Sequence, residues 1–338
     1  MIRLAWRQFR TEAGIALGAL ALVAIVLGAT GPHLVHVYDT DPSQLANTYR
    51  SLQGAMVALL LIAPALLGIF FGAPLVAREL ETGTFRLAWT QSVSRSRWLV
   101  AKFALVGIAA SVLAGGLSLM AAWWANPLNI MDQDRFSPSK FGMFGIVPFG
   151  YALFAFVLGA TSGVLFGRTL PAMLTTLAGY VGARYAATYW IRPHFETPKH
   201  LSVSLAKAAG ISFSRLTSGA LTMTATPPNL PNAWSLSASV VDQDGKAPTS
   251  QYVQRACPTL LHGPGNPVAV AGGRHTRAVP GGAIQTCIAH IAARFHEVVT
   301  YQPASRYWPF QVYETALFVF VAFALAAVSM FWVRRHLI

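Results

Sequence analysis

The sequence predicts an α-helical integral membrane protein with six transmembrane helices, both termini in the cytoplasm, and a mixed extracytoplasmic domain between the fifth and sixth helices. The first observation is composition: of 338 residues, 54% are hydrophobic and only 11% are charged, whereas soluble domains carry roughly 25% charged residues. The second is that long stretches contain no charged residue at all. The third is that the Lys and Arg residues of the short loops fall mainly on one side of the predicted membrane.

The membrane helices are predicted where charge is absent for about 20 residues, the length that crosses the hydrocarbon layer. They cover about residues 13–31, 54–77, 99–124, 143–167, 170–190 and 310–333. Residues 1–12 precede the first helix and predict an amphipathic interfacial helix, although plain positively charged flanking sequence explains them nearly as well. The first span has full length and lacks a clear cleavage site, so we expect an uncleaved anchor rather than a signal peptide.

The orientation follows from the basic residues in the short loops, because these loops carry an excess of Lys and Arg on the cytoplasmic side. With the N-terminus inside, 11 Lys and Arg residues are cytoplasmic and 3 lie in short outer loops. Residues 334–338 then form a cytoplasmic tail, and residues 191–309 form the extracytoplasmic domain. The net charge of +13 is explained by this topology and by anionic lipid better than by nucleic-acid binding, since no basic stretch is interleaved with aromatic residues.

The predicted outer domain differs from the spans in being rich in Pro, Gly, Ser and Thr. Residues 234–240 alternate between apolar and polar and predict a strand. Asp242–Gly245 predicts a turn, after which Tyr252-Val253 is expected to return as the partner strand. Residues 283–299 have apolar residues at helical spacing and predict an amphipathic helix.

The two cysteines, Cys257 and Cys287, both lie in the predicted outer domain. A disulfide is favoured there because extracytoplasmic compartments are oxidising. Free thiols and a metal site with nearby histidines such as His290 are the alternatives, and the spacing fits no standard zinc pattern.

Catalytic signatures are absent from the sequence. There is no P-loop, no His-Glu-x-x-His motif, and no predicted span with the His or Asp that intramembrane proteolysis requires. We therefore expect no catalytic residue, no metal site and no cofactor bound by this chain, and an intramembrane enzyme is the least favoured class.

One ionisable residue, Arg184, lies inside a predicted span, and Glu314 near the start of the sixth span is its candidate partner. A charge near the bilayer centre costs roughly 2.5–3.5 kcal/mol on insertion scales, so it usually faces a cavity or a partner. The alternative, which we favour slightly, is that Arg184 snorkels to the outer surface among aromatic residues.

The only substantial cytoplasmic loop, residues 78–98, joins the second and third spans. It offers both signs of charge and several large apolar residues to a soluble partner, and helical continuations on both sides would transmit force into the spans. An ordinary solvated loop, whose arginines merely set the topology, is the alternative. The residues that we expect to contact or couple to a partner are Glu79, Glu81, Thr84, Arg86, Arg95 and Arg97.

This segment resembles the signature of ABC-2 type exporter permeases. The resemblance consists of an acidic helix end, then Gly83-Thr84, Leu87, the turn Val93-Ser94-Arg95, and Lys102 before the third span. The six-span layout and the tight junction at 167–171 are also similar, and the strings at 75–84 and 89–93 resemble permeases of high-GC actinobacteria. The chain departs from the pattern in having Gln91-Ser92 where a proline is common, and in its large outer domain.

The resemblance implies that the chain is the transmembrane subunit of an exporter in the bacterial cytoplasmic membrane. It implies a separate ABC ATPase subunit that binds ATP and Mg, a second permease copy in a homodimer or heterodimer, and docking of the loop on the ATPase. The alternative is a non-transporting membrane protein whose extracytoplasmic domain binds a ligand or partner. Six spans are more than such an anchor needs, and the substrate class stays open among drugs, peptides, lipids and polymers.

Overall fold

The computed structural model describes residues 2–83, 95–205, 210–215, 221–256, 269–270 and 289–336. The chain divides into two compact units. The helical unit comprises Met1–Phe195 and Tyr307–Ile338, and the strand-containing unit comprises Glu196–Arg306.

The helical unit is built from long helices joined by short connections. Its helices are α1 Ile2–Thr40, α2 Pro42–Leu67, α3 Ala73–Thr82, α4 Arg95–Trp124, α5 Asn126–Asp132, α6 Pro138–Phe141, α7 Val147–Phe166, α8 Thr169–Ala186 and α10 Tyr307–His336. A π-helical turn at Gly68–Gly72 joins α2 to α3, and a second at Ala187–Ile191 continues α8 into a short 3₁₀ turn, Arg192–His194.

Five helical segments among the described residues are long and apolar enough to cross a membrane. They are Leu17–Thr40, Thr48–Thr82, Arg97–Trp124, Val147–Phe166 and Ala304–Arg335. The protein is therefore an α-helical, multi-pass membrane protein. The span expected at 170–190 is helical as α8 with its π turn, but it is not among these five segments. Its arginine and its threonines lower its apolar character, so a count of six spans stays a prediction.

The N-terminal helix is longer than the sequence suggests. Helix α1 runs without a break from Ile2 to Thr40 and contains Pro32, and α2 begins at Pro42. The interfacial segment expected at 1–12 is thus the first part of the same helix as the first span, and both helices extend beyond their charge-free cores.

Helix α7 lies at the centre of the helical unit and packs against α2, α3, α4, α8 and α10. Glycine permits the closest of these approaches. A Cβ atom added to Gly72 would lie 2.4 Å from the carbonyl oxygen of Phe156, and one added to Gly159 would lie 2.3 Å from that of Gly68. Small residues let membrane helices approach backbone to backbone, so the π turn between α2 and α3 is held directly against α7.

The second unit contains two antiparallel sheets. Its strands are β1 Lys199–Ser204, β2 Gly210–Arg215, β3 Leu221–Thr226, β4 Trp234–Val241, β5 Ala269–Val270 and β6 His296–Gln302. Helix α9 spans Ser250–Ala256, and residues 289–292 are also helical. The first sheet has the order β1-β6-β4 and the second β3-β2-β5. Its core joins residues of both sheets with α9, including Ile211, Met223, Val240, Val253 and Phe295.

Some of the sequence predictions for this unit are confirmed, and others are wrong. The strand at 234–240 is confirmed as β4, and the turn is confirmed by Gly245 at φ 77° and by the Asp242 carboxylate, which accepts the backbone N–H groups of Asp244 and Lys246. The return strand at Tyr252-Val253 is wrong, because these residues belong to α9. The actual partner of β4 is β6.

The predicted helix at 283–299 is wrong over its last residues. From His296 onward the chain is strand β6, which lies between β1 and β4 and buries Glu297, Val299 and Gln302. The run Val298-Val299-Thr300-Tyr301 consists of β-branched and aromatic residues that favour a pleated strand. The apolar residues before His296 are spaced as in a helix, and this spacing hides the change from helix to strand in the sequence. Cys257, Cys287 and most of the residues between them lie outside the described residues, so the disulfide stays a prediction.

Candidate functional site

Two groups of polar side chains lie within the helical unit, near opposite ends of α8. We name the first the α3 junction: Glu79, Glu81, Lys102 and Thr169. We name the second the Arg192 cluster: Arg192, Glu314, Tyr151, Thr188 and Arg184. Thr169 and Arg192 are 23 residues apart along one helical path, which corresponds to about 35 Å at 1.5 Å per residue.

Glu79 connects the end of α3 to the beginning of α4. Its carboxylate lies 2.5 Å from the Lys102 ammonium, and the two side chains are only 17% and 9% exposed. Lys102 also donates to the Leu75 carbonyl at 3.4 Å and lies 4.6 Å from the centre of the Trp98 ring. The buried Lys102 ammonium therefore has several partners among the described residues, of which Glu79 alone carries the opposite charge.

Glu81 connects the same end of α3 to the first turn of α8. One carboxylate oxygen accepts the Thr169 backbone N–H at 2.8 Å, and the other accepts the Thr169 hydroxyl at 2.7 Å. The first N–H groups of a helix have no partner within it, and the helix dipole favours an anion there. The residue before α8, Arg168, makes no side-chain cap, so Glu81 caps the helix from a different span.

Gly83 ends α3 in the left-handed conformation, with φ of 70°. A side chain is strained at this φ, so glycine suits the sharp exit from α3. Thr84 and Arg86 lie outside the described residues, as does the side chain of Arg95, while Arg97 is exposed on the first turns of α4. The structure thus brings Glu79 and Glu81 together with neighbouring spans, and it leaves the contacts expected of Thr84, Arg86 and Arg95 as predictions.

The Arg192 cluster is centred on a fully buried ion pair. Arg192 donates through Nε to Glu314 Oε2 at 2.6 Å and through Nη2 to Glu314 Oε1 at 2.9 Å, and both side chains are 0% exposed. The Tyr151 hydroxyl of α7 also donates to Glu314. The Arg192 guanidinium lies 4.2 Å from the centre of the Phe141 ring. One carboxylate therefore ties α7, the end of α8 and α10 together.

Gln311 extends this connection one turn along α10. Its Oε1 accepts the backbone N–H groups of Ile146 and Val147, each at 3.1 Å, and its Nε2 donates to the Phe141 carbonyl at 2.9 Å. The first turn of α7 is thus capped by a side chain from α10, since Ile146 itself provides no cap.

Arg184 does not form the ion pair that the sequence suggested, because its expected partner, Glu314, is bonded to Arg192 instead. The Arg184 guanidinium lies 4.4 Å from the centre of the Tyr151 ring and donates to the Tyr180 hydroxyl at 3.1 Å. The Arg184 side chain is half-buried, and it contacts the Arg192–Glu314 pair indirectly, through Tyr151. Snorkelling of Arg184 to the outer surface stays a prediction.

Arg192 is the principal residue that sequence reasoning missed, because it falls just beyond the charge-free stretch and was assigned to the outer domain. A signal for it exists. Residues 180, 184, 188 and 192 are Tyr, Arg, Thr and Arg at intervals of four, and positions i and i+4 share one face of a helix. The π turn and 3₁₀ turn continue the helical path far enough to carry this polar face to Arg192.

Neither group of side chains has the composition of a catalytic or metal centre. Within the described parts of the chain, no three His, Cys, Asp or Glu residues are grouped so as to hold a metal ion. The arrangement joins helices at their ends.

Comparison with known proteins relates the chain to one described family. The family model described as ABC-2 membrane transporter related matches residues 17–192, which takes in α1 to α8 and both helix-joining groups apart from the residues on α10. No curated protein and no solved structure matches the chain.

Proposed function

Because the chain belongs to the ABC-2 membrane transporter related family, we propose that it is the transmembrane permease subunit of an ATP-binding cassette exporter. It works with a separate ATPase subunit, which holds ATP and Mg, and with a second permease copy. Helix α8 is the fifth of six spans, and the excess of basic residues in the short loops favours a cytoplasmic position for the N-terminus, residues 83–95 and the C-terminus in a bacterium. The unit Glu196–Arg306 then lies outside the cytoplasmic membrane.

The observation that carries this proposal is the α3 junction. The end of α3 bonds to α4 through Glu79–Lys102 and to α8 through Glu81–Thr169. It also packs with Val76 against Trp98, Leu99 and Val164 in one buried cluster. A force applied to the loop that follows Gly83 is therefore passed to three spans at once.

This geometry divides the residues of the loop region into two roles. Glu79 and Glu81 act within the chain, as positioning residues that hold α3 against its neighbours. Thr84, Arg86, Arg95 and Arg97 remain to contact the ATPase, and Arg97 is exposed as that role requires. Movement of the ATPase subunits on ATP binding presses on the loop and reorients the spans, an alternating-access change of the rigid-body or hinge kind.

The proposal is tested by purifying the tagged chain from its native membrane and measuring the ATPase recovered with it. We expect an ABC ATPase in the purified complex. Reversal of charge in R86E/R97E should remove most of it, whereas Arg50→Glu, an exposed arginine on the predicted outer side, should not. Recovery of the chain without any ATPase contradicts the proposal.

The division of roles has its own test in the same preparation. In E81Q a neutral amide replaces the carboxylate that accepts two hydrogen bonds at the start of α8. We therefore expect the ATPase to be recovered at the wild-type level, but its rate of ATP hydrolysis should no longer depend on the permease. Loss of ATPase binding in E81Q would show instead that Glu81 contacts the partner directly.

A further inference from the structure

An apolar groove follows α4 on the face that it shares with α7 and α10. Its volume is about 590 Å³, within the range of ~300–1,000 Å³ that is usual for small-ligand sites. The walls are aliphatic and aromatic, with Val100, Phe103 and Ile108 from α4, Leu153 from α7, and Ala327 and Met330 from α10.

The length of the groove matches one leaflet of a bilayer. It extends along α4 from Leu99 to Ser111, which is about 18 Å at 1.5 Å per residue. Half of the ~30 Å hydrocarbon layer is about 15 Å. The groove starts near the first turns of α4 and ends near the middle of that helix, so it has the depth of one lipid acyl chain.

Three exposed arginines stand just beyond the shallow end of the groove. Arg97 precedes Leu99 on α4, and Arg334 and Arg335 follow Met330 on α10. Trp98, Leu99 and Val333 belong to one buried cluster, with Met330 packed against it, and this packing brings the two helix ends together. Glu79 is paired with Lys102, and the three arginines give this end of α4 and α10 a basic character.

We propose that this groove binds an anionic phospholipid of the leaflet next to the loop, with one acyl chain along α4 and the phosphate at Arg334 and Arg335. Basic pockets between membrane helices on the cytoplasmic side suit anionic headgroups. A second copy of this chain is a poor occupant, because it would bring the same arginines against these and like charges repel.

The test uses the purified full-length chain with phosphatidylglycerol or phosphatidylcholine added to the detergent, and native mass spectrometry to count retained lipids. We expect the wild type to retain phosphatidylglycerol at least tenfold more than phosphatidylcholine. The double variant R334E/R335E should lose this preference, because the phosphate meets carboxylates in place of guanidinium groups. Arg50→Glu, at an exposed arginine far along the sequence from the groove, should keep it.

Two further variants examine the groove itself. Ala327 lines it, whereas Ala324 is exposed on the same helix and does not. We expect A327W to abolish the retention of phosphatidylglycerol and A324W to leave it unchanged. Ser111 lies at the deep end with a buried hydroxyl that has no partner among the described groups, so S111A should retain lipid as well as or better than the wild type.

Three results overturn the proposal. Equal retention of the two lipids by the wild type would show that the arginines do not select an anionic headgroup. Loss of binding in S111A assigns the groove to a ligand that bonds this hydroxyl. A shift from dimer to monomer in A327W, with lipid retention unchanged, makes the groove an interface between copies of the chain.

Discussion

The α3 junction and the Arg192 cluster both join three helices, yet they do so with bonds of different kinds. The cluster rests on an ion pair with both side chains fully buried and two charge-assisted hydrogen bonds. The junction rests on a partly exposed ion pair and on an exposed glutamate that caps α8. Buried bidentate pairs are costly to break, whereas exposed pairs contribute little and rearrange readily. The difference indicates that α8, the helix that takes part in both groups, is fixed at its Arg192 end and adjustable at its Thr169 end.

The largest expected effect comes from breaking the buried pair. Arg192→Met leaves the Glu314 carboxylate buried without its cation, and Glu314→Gln leaves the guanidinium without its anion, so each should lower the free energy of unfolding by about 3–5 kcal/mol. The measurement is reversible denaturation in detergent. The double variant R192M/E314Q should lose clearly less than the sum of the two single losses.

The second unit supplies a matched control for this prediction. Arg306 and Glu196 form another Arg–Glu pair, at 2.5 Å, but with side chains 19% and 29% exposed. Glu196→Gln, which leaves the other hydrogen bonds of Arg306 in place, should therefore cost about 1 kcal/mol or less. Equal losses from E196Q and E314Q would remove the contrast between buried and exposed pairs on which the comparison rests.

A smaller effect is expected at the α3 junction. Glu79→Gln leaves the buried Lys102 ammonium without an opposite charge and should cost about 1–2 kcal/mol, less than either variant of the Arg192 cluster. Adding Lys102→Met to this variant removes the ammonium that has lost its partner, so E79Q/K102M should be more stable than E79Q. Both are measured by the denaturation assay used for the buried pair. A loss in E79Q as large as that in E314Q would show that the junction is as rigid as the cluster.

A further glutamate, Glu297, sharpens the comparison because it is buried with no cation bonded to it among the described residues. Glu297 lies at the middle strand of the first sheet of the second unit, and neither carboxylate oxygen has a hydrogen-bond partner among the described residues. Burial raises the pKa of Glu297 above its ordinary value of about 4.5, since removal from water disfavours the charged form.

The sign of the resulting pH dependence follows from the raised pKa. The folded unit holds the proton more tightly than the unfolded chain does, so its stability is greatest below the unfolded pKa and falls as pH rises through the folded pKa. Hydrogen exchange of β6, corrected for intrinsic rates, should therefore be slower at pH 5 than at pH 8. Glu297→Gln should flatten this dependence, whereas Asp244→Asn, at an exposed turn carboxylate, should leave it. A dependence that survives in E297Q would assign it to another group.

The sequence supports the membrane class, the family and the importance of the segment around Glu79 and Glu81, because long charge-free helices and loop charges depend mainly on local composition. It does not reveal that Glu81 caps α8, since that bond joins residues 88 positions apart. The pairing of Arg192 with Glu314 is concealed for the same reason, and also because a π turn extends α8 beyond its apolar part. In the second unit, strand β4 is evident from its alternation, but its partner β6 follows a segment with helical spacing.

The central claim is that the helix ends at the α3 junction move during the ATP cycle while those at the Arg192 cluster stay fixed. Spin labels can be placed at exposed positions, Thr82 with Val100 at the junction and Ile146 with Val312 at the cluster. The labels are introduced in the variant C257S/C287S, in which the two native cysteines are replaced. Each reconstituted complex with the ATPase contains one labelled copy of the chain. We predict that ATP changes the distance between Thr82 and Val100 and leaves that between Ile146 and Val312 unchanged. A change between Ile146 and Val312, with the other distance constant, would contradict the account.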